Sequence, residues 1–463
     1  MNKEKNKALI IGIVRILFVL LFEVLFVFIW SRNLNNLKVN PFMNKGNWLI
    51  AGVYLIELIL LLQVYGGLKI GHLARWNVIL SQSLALMLCN VIMSVQIILI
   101  VGDMHLIAEI LKSMLLLLII DIVLAILMTH IFDALLRRLY PAKSILLVYE
   151  EYSPNAMIEK FEKRRDKYII QETLYAGIPE EELKRKLSDY TYVMLYDISS
   201  EKRNEILKYC YMHNIEVYMT SKISDTIIRS AGNVLLFDSP LLHMINNDMT
   251  FGQTFMKRLL DLLIAVPMFI LASPIMLVVA IAIKTYDGGP ALYKQERATL
   301  HGRKFMIYKF RSMIVNAEGD GKARLASQND SRITPVGEFI RKTRLDELPQ
   351  LINILKGEMS IVGPRPERPE IIEKYEASIP EFACRLKVKG GLTGYAQIYG
   401  KYNTTPYDKL KMDMMYIQNY SFWLDIQLIL MTLKIMFIKE STEGVVEGKR
   451  VLQTSFNDSD KIL

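Results

Sequence analysis

The residues best suited to chemistry are two adjacent acids, Asp346 and Glu347, which follow a cationic segment containing Arg341, Lys342 and Arg344. Adjacent carboxylates repel each other, so they need a nearby cation to stay ionised together. Neighbouring side chains of a helix point about 100° apart, so the two acids cannot perform the same task. One acid can face a reacting phosphorus atom while the other holds a metal ion. Taken alone, the pair better fits a charged first helical turn, because acids are favoured near a helix N-terminus.

Further candidate binding residues lie on both sides of this pair. Upstream, Phe305–Met313 predicts a strand that ends in a cationic turn, with Lys309 and Arg311 on the same side because strand side chains alternate. Both cations could contact a diphosphate, and a guanidinium offers a planar fork of donors to phosphate oxygens. Downstream come a rigid Pro-Arg-Pro segment that carries Arg365 and a Gly-rich turn followed by Gln397. The glycine turn alone is a weak phosphate-binding signal.

The composition favours a membrane protein with several domains. The chain has 463 residues, of which 52% are hydrophobic, and its formal net charge is +9. A basic balance suits a nucleic acid, an anionic membrane surface or a phosphorylated substrate, and the apolar N-terminus favours the membrane over a nucleic acid. The three cysteines are far apart and none belongs to a C-x-x-C motif, so neither a disulfide framework nor a zinc site is predicted.

Four apolar segments predict a transmembrane region over residues 1–135. They are Ala8–Trp30, Trp48–Tyr65, Val78–Val101 and His105 to about Phe132. Each is near the roughly 20 residues that cross the hydrocarbon core. Lysine and arginine are more numerous on the side that holds both ends of this region, which predicts a cytoplasmic N-terminus and a cytoplasmic remainder of the chain.

Residues 144–245 predict a Rossmann-like cytoplasmic module. Short apolar runs such as Ser144–Tyr149 and Val234–Phe237 predict strands and alternate with charged helical segments, which is typical of a parallel sheet. A dinucleotide-binding turn needs glycines after the first strand, but Tyr149–Pro154 contains none and places Glu150 and Glu151 where a pyrophosphate would rest. We therefore expect a structural or regulatory module that does not bind NAD in the usual way.

Lys257 and Arg258 open a further apolar stretch, and residues 257–284 are predicted to form a re-entrant membrane helix. The Ser273-Pro274 step lies within it. A proline inside a helix removes a hydrogen bond and bends the helix, and the serine can bind a freed backbone group. A helix that breaks there and returns keeps the following residues on the cytoplasmic side. An ordinary kinked span is the alternative, because hydropathy does not separate the two.

The remaining segments complete the predicted organisation. Residues 250–440 form the catalytic domain, in which Phe422–Ile438 is predicted to be an amphipathic helix lying in the membrane interface. Asn316–Ser331 predicts a mobile loop, and residues 441–463 predict a flexible tail. The expected fold class is a helical membrane region with four transmembrane helices, combined with α/β domains.

Four motifs, in this order, resemble the bacterial sugar transferase family. They are Lys257-Arg258 before a helix broken by Ser-Pro, Lys309-Phe310-Arg311-Ser312-Met313, Leu345-Asp346-Glu347-Leu348-Pro349-Gln350 and Gly363-Pro364-Arg365-Pro366. The resemblance covers about Phe251–Ile438, and the preceding spans and module resemble the large polytopic members of the family. It implies a polyprenyl-phosphate glycosyl-1-phosphate transferase of the bacterial inner membrane that starts exopolysaccharide, capsule or O-antigen synthesis.

The resemblance also implies the substrates, the cofactor and the roles of the site residues. A sugar 1-phosphate passes from a UDP-sugar to undecaprenyl phosphate with release of UMP, and Mg²⁺ assists by neutralising the donor diphosphate. Glu347 is the expected metal ligand, and Asp346 is the expected nucleophile, which forms a phosphosugar-aspartyl intermediate. The expected phosphate-binding residues are Lys309, Arg311, Arg341, Arg365 and Gln397, and those near the acceptor headgroup are Lys257, Arg258, Ser273 and Pro274. The lipid bilayer, downstream glycosyltransferases and a second copy of the chain are further candidate partners.

Two alternatives stay open at this point. The acid pair could only position Mg²⁺ and the acceptor, so that the acceptor displaces UMP directly. In a different class of function, the chain could be a membrane scaffold or regulator of a polysaccharide-synthesis complex that acts through the Rossmann-like module. The intact Asp346-Glu347 pair argues against scaffolding as the only role.

Overall fold

The computed structural model describes residues 2–38, 41–43, 45–244, 248–315, 330, 332–401 and 404–436. These residues divide into two compact units, the first ending at Thr220 and the second beginning at Ser221. The predicted mobile loop at 316–331 falls almost entirely outside the described residues, and the predicted tail at 441–463 falls wholly outside them.

The first unit opens with four long apolar helices at the predicted positions. They are α1 (Asn2–Ile29), α2 (Lys45–Tyr65), α3 (Arg75–Val101) and α4 (Ile107–Leu139). A fifth apolar helix, Phe251–Asp287, belongs to the second unit. Among the residues that the structure describes, these five are long and apolar enough to cross a membrane, so the chain is a membrane protein.

Buried polar side chains join the helices of the first unit. Gln82 Nε2 donates to the carbonyl of Gly67, and Thr129 Oγ1 donates to Gln82 Oε1, each at 3.1 Å. These bonds link α3 with α4 and with the turn after α2. In an apolar environment, such pairing avoids the cost of burying an unsatisfied polar group.

The rest of the first unit is built around a parallel sheet, as predicted, and this sheet has four strands. The strands are β1 (Lys143–Tyr149), β2 (Tyr168–Tyr175), β3 (Tyr192–Tyr196) and β4 (Glu216–Met219), and the helices between them are α5 (Asn155–Glu162), α6 (Glu180–Ser188) and α7 (Ser200–Met212). The strands lie in the order β2-β1-β3-β4. The predicted strand at Val234–Phe237 does not join this sheet, because that segment pairs in an antiparallel hairpin of the second unit.

The turn after β1 differs from a dinucleotide-binding turn in its contacts as well as in its sequence. Glu150 Oε2 accepts a hydrogen bond from the backbone N–H of Ser199 at 2.7 Å, next to the start of α7. Glu150 Oε1 lies 2.8 Å from Lys202 Nζ. Phosphates commonly bind at the N-terminus of such a helix, but here a carboxylate of the same chain binds there.

The second unit carries all the residues singled out for chemistry. Its helices are α8 (Ile223–Arg229), α9 (Phe251–Asp287), α10 (Pro335–Lys342), α11 (Gln350–Lys356), α12 (Pro369–Glu376), α13 (Tyr395–Tyr399), α14 (Pro406–Gln418) and α15 (Phe422–Met436). Its strands are β5 (Gly232–Leu236), β6 (Ser239–His243), β7 (Leu292–Ala298), β8 (Lys304–Phe310), β9 (Ser360–Val362) and β10 (Gly391–Thr393). The pairs β5–β6 and β7–β8 are antiparallel hairpins, and β9–β10 is a short parallel pair.

Helix α9 is continuous from Phe251 to Asp287, so the predicted break at Ser273-Pro274 does not interrupt it. Pro274 has no N–H to donate to the carbonyl of Ile270, four residues earlier. The hydroxyl of Ser273 donates to that same carbonyl at 2.7 Å. The serine thereby satisfies the backbone group that the proline leaves free, which explains how the helix continues through this step.

Two apolar clusters contain residues of both β8 and α9. In the first cluster, Phe305 and Ile307 of β8 pack with Ala265 of α9. In the second, Phe310 packs with Ile283 near the other end of the helix. Residues of β8 therefore share apolar clusters with both halves of α9.

Candidate active site

Asp346 and Glu347 lie in a short 3₁₀ helix, Leu345–Glu347, between α10 and α11. Arg344, just before it, has a φ of 57°, in the left-handed region that few non-glycine residues adopt. The chain therefore turns sharply after α10. The two acids belong to this separate turn rather than to the first turn of α11, which begins at Gln350.

Two cations from distant segments meet at Glu347. Lys309 Nζ donates to Glu347 Oε1 at 2.9 Å, and Arg365 Nη2 donates to the same oxygen at 2.6 Å. Burial alone raises the pKa of Glu347, but the charges of Arg365 and Lys309 outweigh it and hold this pKa well below its usual range. Glu347 is therefore ionised at any physiological pH.

Asp346 is half-buried and has a different environment. Its carboxylate makes no hydrogen bond or ion pair with any residue that the structure describes. Burial and then the charge of Glu347 raise the pKa of Asp346, while Lys309, Arg341 and Arg365 act in the opposite direction. Neighbouring acids whose pKa values are driven apart are typical of groups with separate tasks.

Hydrogen bonds to backbone carbonyls fix the segment that carries Arg365, and the side chain of Arg365 itself is accessible. Arg385 Nη2 donates to the carbonyl of Arg365 at 3.0 Å, and Arg297 Nη1 donates to the carbonyl of Pro366 at 3.2 Å. The side chain of Arg365 is 42% exposed, against 14% for Glu347. It can therefore donate to a phosphate oxygen while it keeps its bond to Glu347.

The structure places the other predicted phosphate ligands differently. Arg341 lies close enough to Asp346 to lower the pKa of that acid. Arg311 is buried and its guanidinium pairs with Asp287 at the end of α9, while its Nη1 has no hydrogen-bond partner among the described residues. Gln397 Nε2 donates to the carbonyl of Leu392 at 3.1 Å.

Lys257 and Arg258, predicted to lie near the acceptor headgroup, have intramolecular partners. Lys257 is only 6% exposed, and its Nζ donates to Asp425 Oδ2 at 2.7 Å and to Tyr416 Oη at 3.0 Å. Its predicted headgroup contact does not fit this burial, so we assign Lys257 to holding α9 against α14 and α15. Arg258 donates to two backbone carbonyls at the end of α11, at 2.6 and 2.7 Å.

Ser273 and Pro274 are exposed, and no contact joins them to the acid pair among the described residues. They lie in the middle of α9, where neighbouring apolar side chains are also exposed, including Leu271 at 76%. Their predicted role near the lipid acceptor stays a prediction.

Several residues that position the site were not singled out from the sequence. Asp261 Oδ1 accepts from Ser360 Oγ at 2.8 Å and from the N–H of Ile361 at 2.9 Å, which fixes β9 to α9. Asn353 of α11 accepts from the N–H of Tyr308 and donates to the carbonyl of Met306, which fixes β8 to α11. The sequence signal for Asp261 was its position inside an apolar helix, because a buried carboxylate needs partners.

The donor set of the acid pair fits Mg²⁺. Among the described residues, no group of three or more His, Cys, Asp and Glu side chains is placed to hold a metal ion. Mg²⁺ commonly binds through only one or two carboxylates, with water and substrate phosphates as the other ligands. Both cationic donors of Glu347 bind its Oε1, and Asp346 has no such partner in the described chain, so Glu347 Oε2 and the Asp346 carboxylate are the oxygens that could bind the ion.

Comparison with known proteins matches the region that carries this site. Residues 252–439 match the family model described as bacterial sugar transferase. The chain is 38% identical over 228 residues to a UDP-N-acetylgalactosamine-undecaprenyl-phosphate N-acetylgalactosaminephosphotransferase of Aeromonas hydrophila, which covers 49% of this chain and 53% of that protein.

Two further relatives are described as UDP-glucose:undecaprenyl-phosphate glucose-1-phosphate transferases. The protein from Klebsiella pneumoniae is 44% identical over 213 residues, which cover 45% of this chain and 44% of that protein. The protein from Caulobacter vibrioides is 41% identical over 181 residues, which cover 38% of this chain and 67% of that protein. The chain thus spans about half the length of the Aeromonas and Klebsiella proteins.

Proposed function

The chain belongs to the bacterial sugar transferase family, and from this premise we propose that it transfers a sugar 1-phosphate from a UDP-sugar to undecaprenyl phosphate, with release of UMP. This reaction would begin the synthesis of an exopolysaccharide, a capsule or an O-antigen. The observation that carries the proposal is the contrast within the acid pair: two cations hold Glu347, whereas Asp346 has no partner among the described residues.

Asp346 is the nucleophile in the proposed mechanism. One of its carboxylate oxygens forms a bond to the sugar-bearing phosphorus while the bond from that phosphorus to the UMP oxygen breaks. An oxygen of undecaprenyl phosphate then attacks the same phosphorus, and the bond to Asp346 breaks to regenerate the carboxylate. No proton has to move in either step.

The cations prepare the site for an anionic substrate. Lys309 and Arg365 hold Glu347 in place, and Arg365 offers its remaining donors to the donor phosphates. Arg341 stabilises the ionised form of Asp346. Mg²⁺, when bound by the acid pair, would neutralise the diphosphate and improve UMP as a leaving group.

A re-entrant path for α9 is part of the proposal. The N-terminal half of the helix shares an apolar cluster with Phe305 and Ile307, and the C-terminal half shares another with Phe310 of the same strand. A seven-residue strand is only about 20 Å long. If α9 crossed the bilayer, β8 with its charged Lys309 would have to lie within the hydrocarbon beside it, at high cost.

The exposed middle of α9 supports the same path. Ile270, Leu271, Leu277 and Val278 are each more than 60% exposed. A helix that enters one leaflet with these residues and returns keeps the acid pair on the side that receives the nucleotide sugar, which is the cytoplasmic face of the inner membrane. The amphipathic helix α15, with exposed Trp423, would lie in the same interface.

This topology can be tested by labelling with a membrane-impermeant thiol reagent. In a variant without native cysteines, Glu381→Cys in the second unit should react only after the cells are permeabilised. Ser31→Cys, after the first membrane helix, provides the control that should react in intact cells. Reaction of Glu381→Cys in intact cells at the rate of this control would rule out the re-entrant path.

A single-turnover experiment tests the covalent mechanism. Full-length enzyme incubated with a panel of labelled UDP-sugars, without undecaprenyl phosphate, should release UMP up to one equivalent per active site for the correct sugar. The label should then be found on the peptide that contains Asp346. Direct displacement predicts no UMP and no labelled protein until the acceptor is added.

The scaffold alternative predicts no turnover with any donor after the acceptor is added. No described feature of the Rossmann-like module favours that alternative over catalysis. Downstream glycosyltransferases, which would extend the lipid-linked sugar, and a second copy of the chain remain proposed partners.

A further inference from the structure

Three cations that form no ion pair with any described residue lie together at the end of β8 that is far from the acid pair. Arg258 comes from the start of α9, Arg303 from the turn between β7 and β8, and Lys389 from the loop before β10. Arg258 and Arg303 both act electrostatically on the ammonium of Lys389. We call these three residues the basal cation cluster.

Backbone contacts bring the three segments together. Gly390, next to Lys389, donates its N–H to Thr299 Oγ1 at 3.1 Å, and the N–H of Thr299 bonds to the carbonyl of Arg303 at 2.9 Å. The carbonyl of Gly390 accepts from the N–H of Ser360 at 2.9 Å, and Ser360 Oγ donates to Asp261, three residues after Arg258. The cluster is therefore fixed by the fold.

The charges of this cluster are not balanced within the described chain. The side chains of Arg303 and Lys389 make no hydrogen bond or ion pair with any described residue. Within the described part of the chain, Arg258 donates only to uncharged carbonyls. Asp261 is an acid that acts on the pKa of Lys389, but its carboxylate already accepts hydrogen bonds from Ser360 and from the N–H of Ile361. Burial and the surrounding cations lower the pKa of Lys389, as expected where positive charge is uncompensated.

The position of the cluster relates it to the membrane surface. Arg258 immediately precedes the apolar stretch of α9, whose Leu259 and Leu263 are exposed. If this stretch enters the bilayer, Arg258 lies at the level of the lipid headgroups. Juxtamembrane lysine and arginine residues are attracted to anionic lipids in this zone.

The distance to the acid pair separates this cluster from the reacting phosphates. Arg303 precedes Lys309 by six residues of an extended hairpin, which span about 20 Å. Arg258 contacts the C-terminal end of α11, whereas the acids precede its N-terminal end, and a seven-residue helix is about 10 Å long. An anion bound by the cluster is therefore not the one that reacts at Asp346.

We propose that the basal cation cluster binds the phosphate of an anionic membrane phospholipid and holds the start of α9 at the membrane surface. Arg303 and Lys389 supply unpaired donors, and Arg258 adds positive charge from the helix itself. The inference rests on the proposed entry of α9 into the membrane and not on the transfer reaction.

The test is a lipid titration of the purified full-length protein in neutral detergent micelles. The probe is dioctanoyl phosphatidylglycerol, with dioctanoyl phosphatidylcholine as the zwitterionic reference, and the thermal midpoint reports binding. Lys389→Gln and Arg303→Gln should each weaken phosphatidylglycerol binding about fivefold, since one surface cation is worth about that factor. Lys304→Gln is the matched control, because Lys304 is exposed and adjacent but already pairs with Glu296.

Two outcomes would overturn the proposal. In the first, both cluster variants bind phosphatidylglycerol as the Lys304→Gln control does. In the second, they lose binding of undecaprenyl phosphate but keep that of phosphatidylglycerol, which would assign the cluster to the acceptor. Arg303→Gln lies in an exposed turn and still tests the idea if Lys389→Gln does not fold. Asp346→Asn should keep the lipid response, so failure of the lipid site and failure of the transfer reaction are distinguishable.

Discussion

Two lysine–carboxylate pairs in the second unit have nearly the same length but different surroundings. Lys309 lies 2.9 Å from Glu347, and Lys257 lies 2.7 Å from Asp425. The side chains of the Lys257–Asp425 pair are 7% and 1% exposed, whereas those of the Lys309–Glu347 pair are 20% and 14% exposed. Neither length nor charge tells which pair belongs to a reactive site.

The neighbours of each pair make the distinction. Tyr416 Oη donates to Asp425 Oδ1 at 2.8 Å and accepts from Lys257, so the charges of that pair are fully engaged. Beside Glu347 lies Asp346, which has no partner among the described residues. The Lys257–Asp425 pair therefore stabilises the fold, whereas the Lys309–Glu347 pair lies beside a carboxylate that is available for chemistry.

The largest expected effect is that of Asp346→Asn on turnover. An amide cannot act as the nucleophile, so UMP release should fall by several orders of magnitude, at about tenfold for each 1.4 kcal/mol of lost transition-state stabilisation. The thermal midpoint should stay near that of the parent protein, because Asp346 has no hydrogen-bond or ion-pair partner among the described residues. Glu338→Gln on the exposed face of α10 is the control and should change neither quantity. Activity within tenfold of the parent would contradict the role of Asp346.

Asp425→Asn should have the largest effect on stability. It leaves the ammonium of Lys257 buried without its carboxylate, which costs about 3–5 kcal/mol of unfolding free energy. Thermal unfolding of the full-length protein measures this loss, and turnover per folded molecule should change little. The double variant Lys257→Met/Asp425→Leu should recover much of the stability, since an apolar pair avoids the uncompensated charge. A double variant no more stable than Asp425→Asn would show that the charges themselves are required.

Arg365→Lys should have an intermediate effect on activity. Lysine keeps the charge near Glu347 but loses the planar fork that can bind Glu347 and a phosphate together. A charge-assisted hydrogen bond is worth about 1.5–3 kcal/mol, so kcat/KM should fall about 10- to 100-fold. Steady-state kinetics with the identified UDP-sugar provide the measurement, and Arg365→Gln should lose more. Full activity of Arg365→Lys would mean that charge alone is sufficient.

A pH-dependent effect is expected at a third buried pair, in which Arg385 Nη2 lies 2.9 Å from Asp413 Oδ2. Burial raises the pKa of Asp413 to about 6, from an ordinary value near 3.8, although Arg385 acts in the opposite direction. Because the pKa of Asp413 is higher in the folded than in the unfolded protein, the folded state binds this proton more tightly. The stability that this proton gives is fully present below pH ~4 and is lost as the pH rises through ~6. The loss is at most about 3 kcal/mol, from 1.36 kcal/mol per pKa unit.

Thermal midpoints of the parent protein and Asp413→Asn between pH 4 and 7 measure this contribution. The parent should lose stability relative to the variant as the pH rises through this range, because the amide does not titrate. A difference that does not change with pH would show that Asp413 stays ionised throughout, as an optimal ion pair with Arg385 would require.

The sequence predicted the surroundings of Lys309 and Glu347 better than those of Lys257 and Asp425. Lys309, Glu347 and Arg365 belong to recognisable motifs, and the structure brings all three together. Lys257 also belongs to a recognisable motif and was predicted to lie near the acceptor headgroup. Its partner Asp425 lies 168 residues away in the chain. Nothing in the local sequence indicates which distant acid a lysine meets, so burial could not be predicted there.

The fold shows the same limit. Alternating strands and helices predicted the parallel sheet, and apolar segments predicted the long helices. The strand at Val234–Phe237 had the same local pattern as the others but pairs in a hairpin with β6. Pairing depends on contacts between separate segments, and a strand's own residues do not specify its neighbour.

The positions at which α9 begins and ends bear on the bilayer thickness that the protein can tolerate. A capping box at Thr250 and the left-handed Gly288 terminate the helix within the unit that carries the acid pair. Helices that cross a bilayer must match its hydrocarbon thickness, and they tilt or distort the lipid when they do not. A helix that returns to the side from which it entered has no second boundary to reach. If α9 takes the proposed re-entrant path, the catalytic unit should therefore tolerate lipids of different acyl-chain length better than helices α1–α4 do.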